Sequence, residues 1–427
     1  MYMPRRSFGS ALFSRSERAA RRCVAPRVPK RRIVGLLGPA FVAAIAYVDP
    51  GNFATNFAGG SAYGYALLWV VVAANLMAML VQALAAKLGL ATGRNLPQLC
   101  RDRFPRWAGV LLWVQAEAVI MATDVAEVVG GALAVRLLFG LPLLEGGLLT
   151  GAIACLLLAV HHRSQAGFER VVAVALGVVL LGFALQLWRA GVDPSGVGGG
   201  LVPSLMGPGA MFTASAIIGA TVMPHAIYLH SDLTTRKYAG ARAVSRRRAL
   251  SVQRTDIVCA LGAAGLVNAA MMIVAAGLVF GSGSDVAGLE DVHRLVEQAA
   301  GPVTALAFAG ALLASGLASS GVGTFAAQVV MDGFVGRRVP LLARRLIGLV
   351  PALVVLGCGM DPTHALLLSQ VVLSVGVPFA LLPLIYFTSR RSVMGELCNR
   401  RITTLSATAT ASVIVALNVV LVVETLG

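Results

Sequence analysis

Two short stretches of this chain carry residues that a plain lipid-facing helix would not tolerate. Asp49-Pro50-Gly51-Asn52 interrupts one long apolar run, and Met223-Pro224-His225 interrupts another. Proline lacks an N–H and clashes with the preceding turn, while glycine permits open dihedrals, so each motif predicts a broken helix. Non-helical backbone survives at membrane depth only where it lines a cavity or is buried in protein. The breaks offer a hard anionic oxygen from Asp49, an amide oxygen from Asn52 one turn later, and a thioether sulfur from Met223. Oxygens with one soft sulfur suit first-row transition metals, whereas Mg²⁺ and Ca²⁺ take oxygen alone. The plain alternative is a kink in which Asp49 is merely hydrogen-bonded and Met223 only packs. Against it stands the cost of an ionisable group at mid-membrane, which usually marks function.

A second set of groups lies between the two breaks and beyond them. Glu117, Asp124 and Glu127 are spaced by seven and three, which puts all three on one face of a helix. Such a face predicts a proton relay or a water-lined path. Structural pairing with Arg344 and Arg345 is the competing reading, and the two are compatible because paired groups can still relay protons. His225 adjoins the second break, where an imidazole titrating near about pH 6.5 can tune protonation or serve a structural role. His225 and His230 are five apart, about 140° on a regular helix, so they do not hold one metal together. His161, His162, His293 and His364 fall at span ends or in loops and read as solvated. Six cysteines are scattered with no C-x-x-C pair, which excludes a zinc knuckle or a disulfide framework.

The elements that must position these groups follow from composition. Of 427 residues, 57% are hydrophobic and only 13% charged, with a mean hydropathy of +0.81. A soluble domain carries about a quarter of its residues charged. Apolar runs of spanning length recur at roughly 34–57, 62–87, 108–135, 143–160, 168–188, 206–230, 252–280, 298–322, 340–357, 363–387 and 402–424. The expectation is an all-α polytopic membrane protein of eleven transmembrane helices, with one transporter domain over 33–427. Residues 1–32 form a tail with ten Lys or Arg and the single acid Glu17, read as a disordered cytoplasmic segment and not a secretory signal. The net charge of +16 would suggest nucleic acid in a soluble protein. Here the charges gather in alternate loops, from Arg94 and Arg101 through the Arg236–Arg254 cluster to Arg400 and Arg401. Only Arg136, Arg189 and Arg294 fall on the other side. The bilayer is therefore the partner, with the N-terminus cytoplasmic and the C-terminus outside, in what reads as a bacterial inner membrane.

The two interrupted spans are the first and the sixth. An offset of five gives them opposite directions through the membrane, so spans 1–5 and 6–10 read as inverted halves. Broken helices at corresponding positions of such halves mark a transporter's central site.

Together the motifs resemble the paired signatures of the Nramp family, the MntH-type proton-coupled manganese and iron transporters. The flanks agree as well: Tyr47-Val48 through Gly60 at the first break, and Gly219-Ala220-Thr221-Val222 with Tyr228-Leu229-His230 at the second. The resemblance covers all eleven spans and implies a LeuT-like fold. It implies a metal held by Asp49, Asn52, Met223 and the carbonyl of Ala220, with Gln370 joining in some states. It implies a proton route from near Asp49 past Asp124 and Glu127 toward Arg344 and Arg345. Asn268 matches a polar position of the family and, with His230, is the expected support of an occluding gate. Relatives that move magnesium or aluminium differ at the methionine, so Met223 keeps the transition-metal reading. One departure stands at Gly321, where threonine would be expected, and bears on local packing. The implied function is secondary active import of divalent transition-metal ions, Mn²⁺ or Fe²⁺, coupled to or accompanied by protons. The metal is substrate, no resident cofactor is implied, and the chain is no enzyme. The competing readings are a sodium-coupled amino-acid or amine carrier of the same fold and an ion channel. No repeated pore loop, H-E-x-x-H or Walker A motif is present.

Overall fold

The computed structural model describes residues 38–163, 165–204, 209–239, 245–281 and 288–426. The basic tail at 1–32 lies outside them, as do the side chains of His161 and His162. The first apolar run is two helices, not one. α1 (Pro39–Ala44) passes through a 3-10 turn at Ile45–Val48, Asp49 is extended (φ −83°, ψ 169°), and α2 (Pro50–Tyr63) then starts afresh. Pro50 is suited to that first position because the N–H it lacks would have no helical partner there. There follow α3 (Leu68–Thr92), α4 (Leu96–Arg103), α5 (Arg106–Phe139), α6 (Leu143–Arg163), α7 (Gln165–Ala190) and α8 (Pro194–Gly200). The sixth run repeats the device: α9 (Ala210–Thr221) stops at Val222 (φ −95°, ψ 85°) and α10 (Pro224–Ala239) resumes. α11 (Arg246–Leu278), α12 (Leu289–Ala300), α13 (Pro302–Val330), α14 (Leu341–Gly357), α15 (Pro362–Thr388), α16 (Arg391–Met394) and α17 (Arg401–Leu426) complete the chain. Among the described residues there is no strand.

Among the described residues eight helical segments are long and apolar enough to cross a membrane: α3, α5, α7, α9–α10, α11, α13, α15 and α17. The other three expected spans correspond to the broken first run (α1 and α2), to the 21-residue α6 and to the 17-residue α14. Several expected boundaries move, and two of the shifts have a plain local cause. The second span begins at Leu68, not 62, because α2 runs on to Tyr63. The eighth begins at Pro302, not 298, because Gly301 at φ +86° turns the chain between α12 and α13. α12 is an amphipathic helix that buries Leu289, Val292, Leu295 and Val296, with Glu290 and Asp291 in its first turn facing the positive helix end.

The bundle is apolar outside and polar inside. Leu181 is 74% exposed and Leu266 71%, as suits a surface bathed in lipid, while Asp49, Asn52, Gln82, Asp124, Glu127, His230, Asn268 and Gln370 are buried. This is an integral membrane protein. α13 lies along α5 and α7, α5 also packs on α15 and α6, and α11 packs on α2 and α3, so the two broken runs sit in the middle.

Candidate functional site

The site is built from two prolines. Pro224 lacks the N–H that would have satisfied the carbonyl of Ala220 four residues earlier, and Pro50 does the same to Ala46. Asp49 then caps α2: its Oδ1 accepts from the Asn52 backbone N–H at 2.9 Å and from Asn52 Nδ2 at 2.7 Å. Asn52 Nδ2 also donates to the carbonyl of Ala220 at 3.2 Å, and Thr221 Oγ1 donates to Asn52 Oδ1 at 3.4 Å. One amide thus stitches the first break to the second. Asp49 Oδ2 is buried with no hydrogen-bond partner, and so is Gln370 Oε1. The Gln370 amide lies across the first break, since a Cβ on Gly51 would fall 1.9 Å from its Nε2. Met223 is fully buried in the link between α9 and α10. Among the described residues no three His, Cys, Asp or Glu side chains gather as a conventional metal cluster. What gathers here is one carboxylate among neutral amides and a carbonyl, with the thioether of Met223 in the second break.

The remaining carbonyls of the first break are satisfied by neighbouring helices, as buried backbone requires. Asn268 Nδ2 on α11 donates to the Tyr47 carbonyl at 2.9 Å, and Ser315 Oγ on α13 donates to that of Val48. Asn56 Nδ2 in turn donates to Asn268 Oδ1 at 3.2 Å. Below the break, Gln82 Nε2 donates to the Tyr47 hydroxyl, and Gln82 Oε1 lies 2.8 Å from His230 Nδ1. With Oε1 as acceptor, the His230 proton sits on Nδ1. This chain Tyr47–Gln82–His230 ties the 3-10 turn to α3 and α10. On the α2 side the site is roofed by Phe53, Phe57, Phe183 and Phe308, with ring centroids 5.1–6.4 Å apart. His225 does not join the candidate donors; its Nδ1 lies 3.4 Å from Thr123 Oγ1. Sequence reasoning singled out His230 and Asn268 and missed Gln82, Tyr47 and Ser315. For Gln82 a signal was available, an amide alone in an apolar run.

The three acids of α5 all meet α14. Arg345 Nη1 lies 2.9 Å from Asp124 Oδ1 and 3.7 Å from Glu127 Oε2. Arg344 pairs with Glu117, whose Oε1 also accepts from Trp113 Nε1 at 3.1 Å. The pairing with arginines is therefore real. It is also incomplete, because Glu127 Oε2 and Arg345 Nε and Nη2 are buried without hydrogen bonds. This face adjoins the first break. A Cβ on Gly130, three residues past Glu127, would lie 2.2 Å from Pro50 Cβ, so only glycine lets α5 come this close.

Known proteins resemble this chain in sequence and in fold. A profile of Nramp proteins, described as natural resistance-associated macrophage protein-like, matches residues 40–424. The divalent metal cation transporter MntH of Deinococcus radiodurans is 49% identical over 398 residues, 93% of this chain and 91% of that one. The protein of the same name from Mycobacterium tuberculosis is 51% identical over 389 residues, 91% of each. A crystal structure of a mutant of the Eremococcus coleocola manganese transporter superposes with a TM-score of 0.83 at 30% identity, covering 92% of this chain and 87% of that one. A nucleobase-cation-symport-1 family transporter superposes at 0.61 with 17% identity, over 90% and 89% of the two chains, a likeness of fold alone.

Proposed function

The chain belongs to the Nramp family, and from that premise we propose that it imports divalent transition-metal ions, Mn²⁺ and Fe²⁺ among them, accompanied by protons. It is a transporter and not an enzyme. The observation that carries the reading is Asn52 Nδ2, which lies 2.7 Å from Asp49 Oδ1 and 3.2 Å from the Ala220 carbonyl. That point is within about 1 Å of ligation distance from both oxygens. An ion taking that place displaces the Asn52 NH₂, and Asn52 Oδ1, turned toward the ion, is a third oxygen. Asp49 Oδ2, Met223 sulfur and Gln370 Oε1 complete a set of hard donors with one soft one, which favours transition metals.

Asp49 supplies the one formal charge, and every candidate ligand is closed to solvent. Release to the cytoplasm requires the Tyr47–Gln82–His230 chain to part so that α1 can move. Protons leave along Glu127, Asp124 and Glu117 toward Arg345 and Arg344. In this reading the chain crosses the bilayer eleven times, counting the broken first run, α6 and α14, with its N-terminus cytoplasmic and C-terminus outside, in a bacterial inner membrane. Residues 33–427 form the single transporter domain. An amino-acid carrier of this fold would offer a helix N-terminus to the substrate carboxylate; here the Asp49 carboxylate already occupies that end of α2.

Reconstitution in liposomes tests the reading. Mn²⁺ should enter, Mg²⁺ should compete poorly, and an inward pH gradient should raise uptake, with Asp49→Ala inactive. Equal uptake of Mg²⁺ and Mn²⁺, or uptake by Asp49→Ala, would overturn it.

A further inference from the structure

The end of the bundle where α15 finishes and α17 begins carries a second built feature, away from the metal site. Arg391, Arg400 and Arg401 line a cavity of about 830 Å³ together with Glu396, Cys398 and Asn399. Some arginines at the arginine-rich end are neutralised, Arg94 by Asp102, Arg236 by Asp232 and Arg338 by Asp332, while among the described residues others such as Arg247 and Arg248 stand unpaired on open helix surface without lining this cavity. Among the described residues the three arginines of the groove form no ion pair, although Glu396 shares the cavity. Its floor is fixed. Asn399 N donates to the Thr388 carbonyl at 3.0 Å and its Nδ2 to Thr388 Oγ1 at 2.9 Å, while Lys87 Nζ donates to Asn399 Oδ1. Cys398 Sγ donates to the Ser389 carbonyl at 3.1 Å.

The walls change character along the helices. On α17, Arg401 is followed one turn later on the same face by Leu405, which is 72% exposed. Just past the end of α15, Arg390 stacks over the Tyr386 ring at 4.0 Å, and one turn further in on α15 Leu382 is 53% exposed. Along α17 and at the end of α15 the order is thus cation first and hydrocarbon next, and the two helices pack against each other. A free phosphate needs only the cations. An amphiphile with an anionic head needs both.

We propose that Arg391, Arg400 and Arg401 hold the phosphodiester of an anionic phospholipid in the cavity between α16 and the start of α17, with its acyl chains running along the exposed Leu382 and Leu405 of the adjoining helices. Guanidinium groups match phosphate oxygens in a fixed fork, and basic pockets between spans on the cytoplasmic side suit anionic headgroups. The lipid pins the loop between the last two spans, independently of which ion the transporter carries.

The test uses the full chain in nanodiscs. In phosphatidylcholine discs containing phosphatidylglycerol, native mass spectrometry should find phosphatidylglycerol retained. The triple variant Arg391→Gln/Arg400→Gln/Arg401→Gln should lose that retention by roughly tenfold or more, given the attraction each arginine contributes. A matched triple on open helix surface, Arg246→Gln/Arg247→Gln/Arg248→Gln, should retain it. Should the groove variant fail to insert, Cys398 reports on the unmutated groove, with the other five cysteines replaced. Labelling by uncharged N-ethylmaleimide should slow several-fold in phosphatidylglycerol discs relative to pure phosphatidylcholine. Equal loss of lipid in both triples, or equal labelling in both discs, means the arginines serve only as topology signals. Protection by inorganic phosphate in pure phosphatidylcholine discs means the groove takes a soluble anion. Either result overturns the proposal.

Discussion

Replacing Met223 separates ligand from packing. The residue is fully buried at the second break, so Met223→Ala removes three heavy atoms beyond Cβ. As packing alone, that loss costs about 2–5 kcal/mol of stability. Met223→Leu keeps the volume and costs less than about 1.5 kcal/mol. If the side chain only fills space, the leucine variant should transport and select like the parent, and only alanine should suffer. If the sulfur is a ligand, both variants lose the soft donor, and leucine is the cleaner because the helix break stays filled.

The expected size follows from which ions need the sulfur. Ca²⁺ and Mg²⁺ draw their binding energy from oxygens, and Asp49, Asn52 and Ala220 supply those in every variant. Cd²⁺ should therefore weaken most, by roughly tenfold or about 1.4 kcal/mol, and Mn²⁺ less. In Met223→Ala the space also admits water, and an all-oxygen hydrated site should discriminate less against Ca²⁺. The assay is Mn²⁺ and Cd²⁺ uptake into proteoliposomes with excess Ca²⁺ or Mg²⁺ outside. Competition profiles of Met223→Leu and parent that coincide would refute the soft-ligand argument, whatever alanine does.

Three further outcomes are expected. Asp49→Asn keeps a good helix cap while removing the charge, so uptake should vanish with melting temperature little changed; uptake within twofold of parent would show that the charge is not needed. Asp124→Asn should reduce proton flux more than metal affinity, because Asp124 pairs with Arg345 at 2.9 Å and bonds to none of the candidate ligands; collapse of Mn²⁺ affinity with intact proton flux would remove Asp124 from the route. Gly130→Ala drives a methyl into the Pro50 ring, 2.2 Å from its Cβ, and overpacking of this kind costs about 1–3 kcal/mol; unchanged stability and uptake would mean α5 yields freely.

Much of this was legible in the chain because prolines act locally. Pro50 and Pro224 broke the helices where the sequence predicted, and the acids spaced by seven and three met Arg344 and Arg345 as one face. The structure adds what depends on distant partners. That Asn268 would bond the Tyr47 carbonyl, or that Ser315 would bond that of Val48, has no local signature: hundreds of residues separate each pair. Ala220 entered the reading only through resemblance, yet it lies four residues before Pro224, where a carbonyl must lose its helical donor. The misplaced start of the eighth span has a local cause too. An apolar run can pass straight through a glycine turn, and only the positive φ of Gly301 separates amphipathic α12 from α13.

The contact of Gly130 with Pro50 bears on how metal and proton are linked. Pro50 is the first residue of α2, and its predecessor Asp49 is both the cap of that helix and the only charged candidate ligand. Glu127 stands one turn before Gly130 on the same helix, and Arg345 bridges it to Asp124. If metal binds at the first break as proposed, a shift of that break would press directly onto the segment of α5 that carries the acids, with no flexible side chain between them. Glu127 is the group that feels it first, since its Oε2 has no hydrogen bond to lose and faces a guanidinium that is itself only partly satisfied. A buried network left partly unsatisfied rearranges at lower cost than a complete one. On this reading the coupling is steric before it is electrostatic, and the glycine that permits the contact matters to it as much as the acids.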